Sequence, residues 1–379
     1  MHPVPLDEYA IHQAPLSLRH VASSDRNVYD RSYLNAHDRT GEVFLVTGMG
    51  VYPNLGTVDA YATVRRGHRQ WTVRCSDALD DHDRLAPAVG PYRVEVIEPL
   101  RCLRIVCDPP GTTSGRPGPE TGGLAFDLTW EGSFPAVMEQ HHLMRTGARA
   151  TLDASRFAQV GTWSGVITID GDDLAVDPDR WVGTRDRSWG IRPVGEPEPP
   201  GRNADEPLEG FHWLYVPLRF DDFAVIVIVQ ELPDGFRTLN DATRVWPDGR
   251  VEQLGWPRVD IGYRSGTRHP ERATIRLTRP TDEPLLLDVE TLGAVALHVG
   301  AGYGGDPDWG HGQWRGRGWV EQAVYDLTDP ETAARIPFGV VDHVARATCD
   351  GAEGWGLFEH GSMGRHDPSG FADWGSVAP

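Results

Sequence analysis

Alternation of apolar and polar residues with a period of two runs through most of the chain. "TVDAYATVRR" (57–66) and "RQWTVRCSD" (69–77) carry it on either side of Gly67-His68. "YRVEVIEP" (92–99) and "LRCLRIVCD" (100–108) form a second pair, followed by "LAFDLTWEG" (124–132), "TWSGVITIDG" (162–171) and "LAVDPDRWVG" (174–183). Beyond residue 210 come "FHWLYVPLRF", "FAVIVIVQEL", "RATIRLTRP", "PLLLDVETL", "AVALHVG" and "GWVEQAVYDL". Successive side chains of an extended chain point to opposite faces, so these runs predict strands with one face on a core. Asp-Gly turns at 170–171, 234–235 and 248–249 help divide the runs, and strands recurring every 8–12 residues or so mark antiparallel barrels and sandwiches. Helical periodicity is scarce. "DPETAARI" (329–336) predicts one short helix, with Asp329 as N-cap and Pro330 in its first turn. No strand–helix alternation suggests a parallel sheet.

The proline-rich, acidic stretch Pro193–Gly210 lacks any apolar period and reads as a linker. It predicts an N-terminal β-barrel domain over 1–195, a linker at 196–209 and a C-terminal β-barrel domain over 210–379. A second break, Asp108–Gly123, reads as a long loop inside the first half. The ends of the two halves echo each other. "WVGTRDRSWG" from Trp181 and "WGLFEHGSMG" from Trp355 share Ser188/Ser362 and Gly190/Gly364 at matching offsets. That echo suggests a duplicated barrel.

Composition narrows the function. Among 379 residues, 36 Lys and Arg face 55 Asp and Glu, a net charge of −19 that argues against nucleic acid or an anionic membrane as partner. No apolar run is long enough to span a bilayer, and the N-terminus shows no signal-peptide pattern, so a cytoplasmic location is expected. The four cysteines (Cys75, Cys102, Cys107, Cys349) have no metal-binding spacing and read as small buried hydrophobes of a reducing compartment. GxSxG, HExxH, Walker A and CxxC are all absent. No metal and no cofactor is therefore expected.

Candidate chemistry centres on "GTRDRSWG". In a strand, Asp186 points opposite to Arg185 and Arg187. One reading is a structural corner with solvated arginines. The other places Asp186 in an apolar barrel lumen, where burial raises its pKa and suits it to general acid catalysis. Trp181 and Trp189 would shape that pocket, and Arg185 or Arg187 would hold a polar end of the substrate. Tyr52, Asn54 and Asp59, in the Gly-rich "GMGVYPNLGTVDAY", are candidates at a barrel mouth or parts of a hairpin turn. Glu359 and His360 could do acid–base work, although neighbours diverge in a strand. Beside Glu139 and Gln140, His141 and His142 would point apart on a strand and could share a metal only from a loop; they read as solvated or supporting histidines. The Gly- and Trp-rich His298–Trp319 reads as a loop whose aromatics could line a ligand mouth.

"YPNLGTVDAY", "AQVGTWSGVITIDGDD", "GTRDRSWGIR" and "GWGLFEHGSMGRH", in this order, resemble the AttH / carotenoid 1,2-hydratase-like superfamily. The resemblance spans nearly the whole chain and is nearest to its uncharacterised bacterial branch. It implies an all-β fold of two tandem lipocalin-like antiparallel barrels with few short helices. The hydratase branch has a similar Asp in a short aromatic motif, and Asp186 maps onto it. That branch flanks its Asp with aromatics or His, where this chain has Arg185 and Arg187. The combined expectation is an enzyme needing no cofactor, acting on a small hydrophobic, terpenoid or polyketide-like substrate. It would be a hydratase/dehydratase or isomerase/cyclase with Asp186 and Glu359 as catalytic groups. The alternatives are a carrier of a lipophilic ligand and a Diels–Alderase-type pericyclase. The sequence leaves the oligomeric state open.

Overall fold

The computed structural model describes residues 5–79, 84–109, 123–198, 209–279 and 283–379. The expected loop at 108–123 and linker at 196–209 therefore lie largely outside the described residues. The chain is almost entirely antiparallel β, and its strands form two sheets.

In the first sheet the strands run in the spatial order Trp319–Asp326, Arg69–Ala78, Thr57–Arg66, Val43–Tyr52, Val28–His37, Val182–Ile191, Arg149–Ile169, Leu124–Gly132, Cys102–Cys107, Tyr92–Glu98 and Ala88–Val89. The second follows the order Val251–Gln253, Arg237–Val245, Ala224–Glu231, Gly210–Arg219, Ala352–Gly364, Val341–Cys349, Leu285–Ala296, Pro270–Leu277 and Arg258–Tyr263. Each sheet curls around its own apolar core. The first encloses Leu34, Leu45, Trp71, Ile105, Trp130 and Trp163; the second encloses Leu214, Val227, Ile275, Leu287 and Phe358.

Both halves close in the same way. The last strand of the first half, Val182–Ile191, pairs with that half's first long strand, Val28–His37. The last strand of the chain, Ala352–Gly364, pairs with Gly210–Arg219, the first of its half. The echo between Trp181 and Trp355 falls on these two closing strands. One strand crosses between halves: Trp319–Asp326 joins the edge of the first sheet beside Arg69–Ala78.

The expected alternation of one buried and one solvated face fails at the centre of each sheet. Thr57–Arg66 is buried at every position but the last, and Ala224–Glu231 at every position. The cause is a third apolar cluster between the barrels. Tyr33, Phe44, Val46 and Tyr61 on the outer face of the first sheet meet Tyr215, Ile226, Ile228 and Leu357 on the outer face of the second. Polar residues that a lone barrel would leave in water are thus enclosed. "LAVDPDRWVG" is also not one strand. Asp172–Val176 ends in a turn, closed by Trp181 N–H donating to the Asp177 carbonyl (2.7 Å), before the next strand starts at Val182. The short helix forms as expected at Pro330–Ala333, where Asp329 accepts from the Thr332 N–H at 3.0 Å.

Candidate active site between the barrels

A cavity of about 270 Å³ opens between the two outer faces. On the first sheet, two cross-strand rows build its floor. Tyr33, Asp186 and Ala158 sit side by side in register. Two residues along, Arg31, Ser188 and Arg156 form the next row, with Gly50 and Asp59 continuing it on the far side. Gly50 is needed there, because a Cβ would sit 2.2 Å from the Tyr52 hydroxyl oxygen. The second sheet supplies Phe211 and Trp213, and a row of Tyr215, Glu359 and Asp342. Leu297, Val340 and Tyr303 complete the wall, Tyr303 coming from the Gly- and Trp-rich loop.

Four carboxyl groups converge here. Asp186 accepts no hydrogen bond among the described residues, and burial is the main reason its pKa rises from 3.8 to about 6. Glu359 pushes it further up, while Arg156, Arg31 and Arg192 pull it down. Burial outweighs the attraction of Arg156 at Glu139, whose pKa rises to about 7 although Arg156 Nε lies 2.5 Å from its Oε2. Glu359 and Asp342 are cross-strand neighbours, and burial raises the pKa of both. Asp342 is fully enclosed and held the higher by its neighbour Glu359; Tyr33 donates its hydroxyl to Asp342 Oδ2 at 2.5 Å. Glu359 accepts from Trp213 Nε1. The Arg156 guanidinium lies over the Trp213 and Tyr215 rings at 5.3 and 5.0 Å. A carboxyl that titrates near neutrality and has no hydrogen-bond partner can give or take a proton at a ligand.

The structure distributes the sequence-derived candidates widely. Asp186 and Glu359 line this one cavity from opposite sheets. Asp186 does not point into a barrel lumen, because its strand presents that side chain on the outer face. Arg185 and Arg187 turn to the other face: Arg185 donates to Gln159 Oε1 (2.8 Å) and Arg187 to Asp30 (3.0 Å). Neither reaches the cavity. Trp181 packs inside the first barrel, and Trp189 is exposed against Phe157, so neither indole shapes the pocket.

Tyr52 and Asp59 are buried together as a structural clasp. Asp59 accepts from the Tyr52 hydroxyl (3.1 Å) and from the Gly312 N–H (2.7 Å), which pins the loop carrying Tyr303. Asn54 is exposed and ties down the backbone at Ser23 and Asp25. His360 points away from Glu359 into a histidine cluster in the second barrel, 3.2 Å from the Tyr263 hydroxyl. In that cluster His212, Glu231 and His366 bring their ligand atoms within 4.8 Å of one another. Glu231 is already bonded to His366 and Arg237, both at 2.8 Å, and the His212 and His366 rings stack face to face at 3.9 Å. A metal there would have to break both arrangements.

Sequence reasoning passed over Arg31, Tyr33, Arg156 and Asp342, and gave Glu139 no role. Their strands hold polar residues on both faces, as in "VYDRSYLNAH" (Val28–His37), so the period-two pattern is faint there.

The chain matches the model of a family described as "Family of unknown function (DUF8625)" over residues 4–372. It belongs to this family. No curated protein matches the sequence. Among solved structures, a Nitrosomonas europaea protein carrying the provisional name AttH is similar to this chain with a TM-score of 0.54 at 13% identity, over 95% of this chain and 98% of that one. Kievitone hydratase from Nectria haematococca gives 0.47 at 12% identity, over 87% and 88% of the two chains. CghA gives 0.47 at 12% identity, over 90% and 89%. The first of these shows the fold alone, which is that of tandem lipocalin-like barrels. Among the described residues, no helix is long and apolar enough to cross a membrane.

Proposed function

We propose that the protein is a cofactor-independent enzyme that acts on a small, largely hydrophobic molecule held between its two barrels, with Asp186 as the acid–base group. The observation that carries this reading is Asp186 itself, a carboxyl with no hydrogen-bond partner on a cavity wall, its pKa near 6. Structural carboxylates in this protein are tied down, as Asp59 and Asp306 are by backbone N–H donors. Asp186 is kept available instead.

The chemistry that suits it is proton delivery to an alkene or carbonyl, or proton removal beside one. Glu359 faces it from the second sheet and would accept or relay the counter-proton, oriented by Trp213. Tyr33 and Asp342 would hold Glu359's neighbourhood in one protonation pattern. Hydration, elimination and proton-driven isomerisation or cyclisation all fit such a pair.

The test is untargeted mass spectrometry of a panel of polyene, phenolic and polyketide-like alkenes incubated with the protein in heavy water. Wild type should shift a substrate by one water, or exchange one carbon-bound hydrogen, and Asp186→Asn should abolish the change. A substrate converted equally by Asp186→Asn would refute the role of Asp186 and favour a pericyclase working by shape. A ligand bound tightly by wild type but never altered would identify a carrier.

A further inference from the structure

The protein carries four buried arginines among its described residues: Arg31, Arg65, Arg74 and Arg185. Burying a guanidinium without acceptors is costly, so such groups are normally paired. Three of the four make at least one such bond, although Arg74 Nε and Nη1 and Arg185 Nη2 stay unbonded. Arg65 donates to the carbonyls of Gly41, Gly67 and Ala294, Arg74 pairs with Glu321, and Arg185 donates to Gln159. Arg31 is the exception. It is 7% exposed and donates no hydrogen bond among the described residues; its guanidinium lies over the Tyr303 ring at 5.1 Å.

The surroundings of Arg31 share this character. Arg192 also lines the cavity, with its guanidinium over the Tyr29 ring at 5.6 Å. Ser188, beside Arg31 in register, has a hydroxyl without a partner among the described residues. His142, 8% exposed, lines the same cavity, and its Nε2 is buried and unbonded. Arg31 and Arg192 thus bring two guanidinium groups, and Ser188 a hydroxyl, to this end of the cavity, in a protein of net charge −19. The other lining residues include Phe211, Trp213, Leu152, Met144, Leu297 and Val340, which are apolar.

We infer that the cavity takes an amphipathic acid, a molecule with an apolar body and one anionic oxygen-bearing head such as a carboxylate or an acidic enol. The head binds Arg31, Ser188 and Arg192, and the body lies along Phe211, Trp213 and Val340. This rests on the cavity being the ligand site, and not on Asp186 being its catalyst. Ser188 and Asp186 are two residues apart on one strand face, a spacing of roughly 7 Å. A head anchored on the Arg31 row therefore sets carbons a few bonds away against the Asp186 carboxyl. Arg31 and Arg192 are also two of the cations that favour ionised Asp186. An anionic head neutralises both, so ligand binding makes Asp186 hold its proton more tightly, as an acid needs before it meets substrate.

The test is binding of octanoate against octanol, read by tryptophan fluorescence and titration calorimetry at pH 7. Wild type should bind octanoate at least tenfold more tightly than octanol. Arg31→Gln should erase that preference while leaving octanol affinity within about threefold, and Arg31→Lys should keep most of it. Arg192→Gln, at a less buried position, should lower it in part and serves if Arg31→Gln fails to fold. Equal affinity of wild type for both probes, no binding of either, or a preference untouched by Arg31→Gln and Arg192→Gln would each overturn the inference. Asp186→Asn separates the two proposals. Retained octanoate preference in that variant supports the anion site whatever its turnover.

Discussion

Asp186→Asn should stabilise the protein above neutral pH, although it removes the proposed catalytic group. Burial raises the Asp186 pKa from 3.8 to about 6, so the folded state holds a proton that the unfolded state has already released across that interval. Stability therefore falls as pH rises from about 3.8 to about 6 and is level beyond. At about 1.4 kcal/mol per pH unit, the ionised Asp186 costs the fold on the order of 3 kcal/mol at pH 8. Asparagine has the same shape and no charge to desolvate. The variant should match wild type near pH 4 and exceed it by about 3 kcal/mol at pH 8, the attraction to Arg156 being already contained in the pKa of about 6. Urea unfolding of both proteins at pH 4, 6 and 8, followed by tryptophan fluorescence, measures this directly. The reasoning is refuted if the difference does not vary with pH, or if the variant is less stable at pH 8. The first result would mean that Asp186 is ionised as freely in the fold as in water. The second would mean that Arg156 or Arg31 depends on it as a structural counter-ion.

Activity should follow the same group: if Asp186 delivers the proton, kcat/KM falls as pH rises through about 6, and Asp186→Asn removes that limb from the pH–rate profile. Trp181→Ala should destabilise by roughly 3–5 kcal/mol, while Trp189→Ala should change stability by only about 0.5 kcal/mol; paired denaturation curves separate a core indole from a surface one. Asp59→Ala strands the Gly312 N–H and the Tyr52 hydroxyl, costing roughly 3 kcal/mol, and should speed limited proteolysis within residues 298–319. Cys75, Cys107 and Cys349 are buried with raised pKa values, so in the native protein half-buried Cys102 should react with a thiol reagent first, with the other three released on unfolding.

Much of the fold was legible in residue order. Thr57–Arg66 and Arg69–Ala78 alternate strictly around Gly67-His68, and they form the hairpin that pattern requires. Asp329-Pro330 wrote its own helix cap. Val28–His37 and the first part of Arg149–Ile169 were not legible, because Asp30, Ser32 and Arg156 interrupt the alternation with polar groups on either face. Ser32 and Arg156 also line the cavity, so the faint pattern and the site share residues. Parity in "GTRDRSWG" was enough to set Asp186 against Arg185 and Arg187, and those arginines do turn away from it. Parity could not say which face was which. It left the indoles of Trp181 and Trp189 as pocket walls, and they are not.

The sequence alone determined an all-β chain in two similar halves, each ending in a strand with a polar centre. A period-two pattern specifies faces, and a repeated motif specifies equivalent positions. Only the tertiary structure decided that the outer faces of the two sheets meet. That contact takes Asp186 and Glu359, far apart in sequence, partly out of water and sets them across one cavity. It also encloses Arg31, which has no hydrogen-bond acceptor among the described residues, and turns a barrel exterior into a cavity wall. The physical reason is that burial and neighbouring charge set a carboxyl's proton affinity, and both belong to the packing of one sheet on the other.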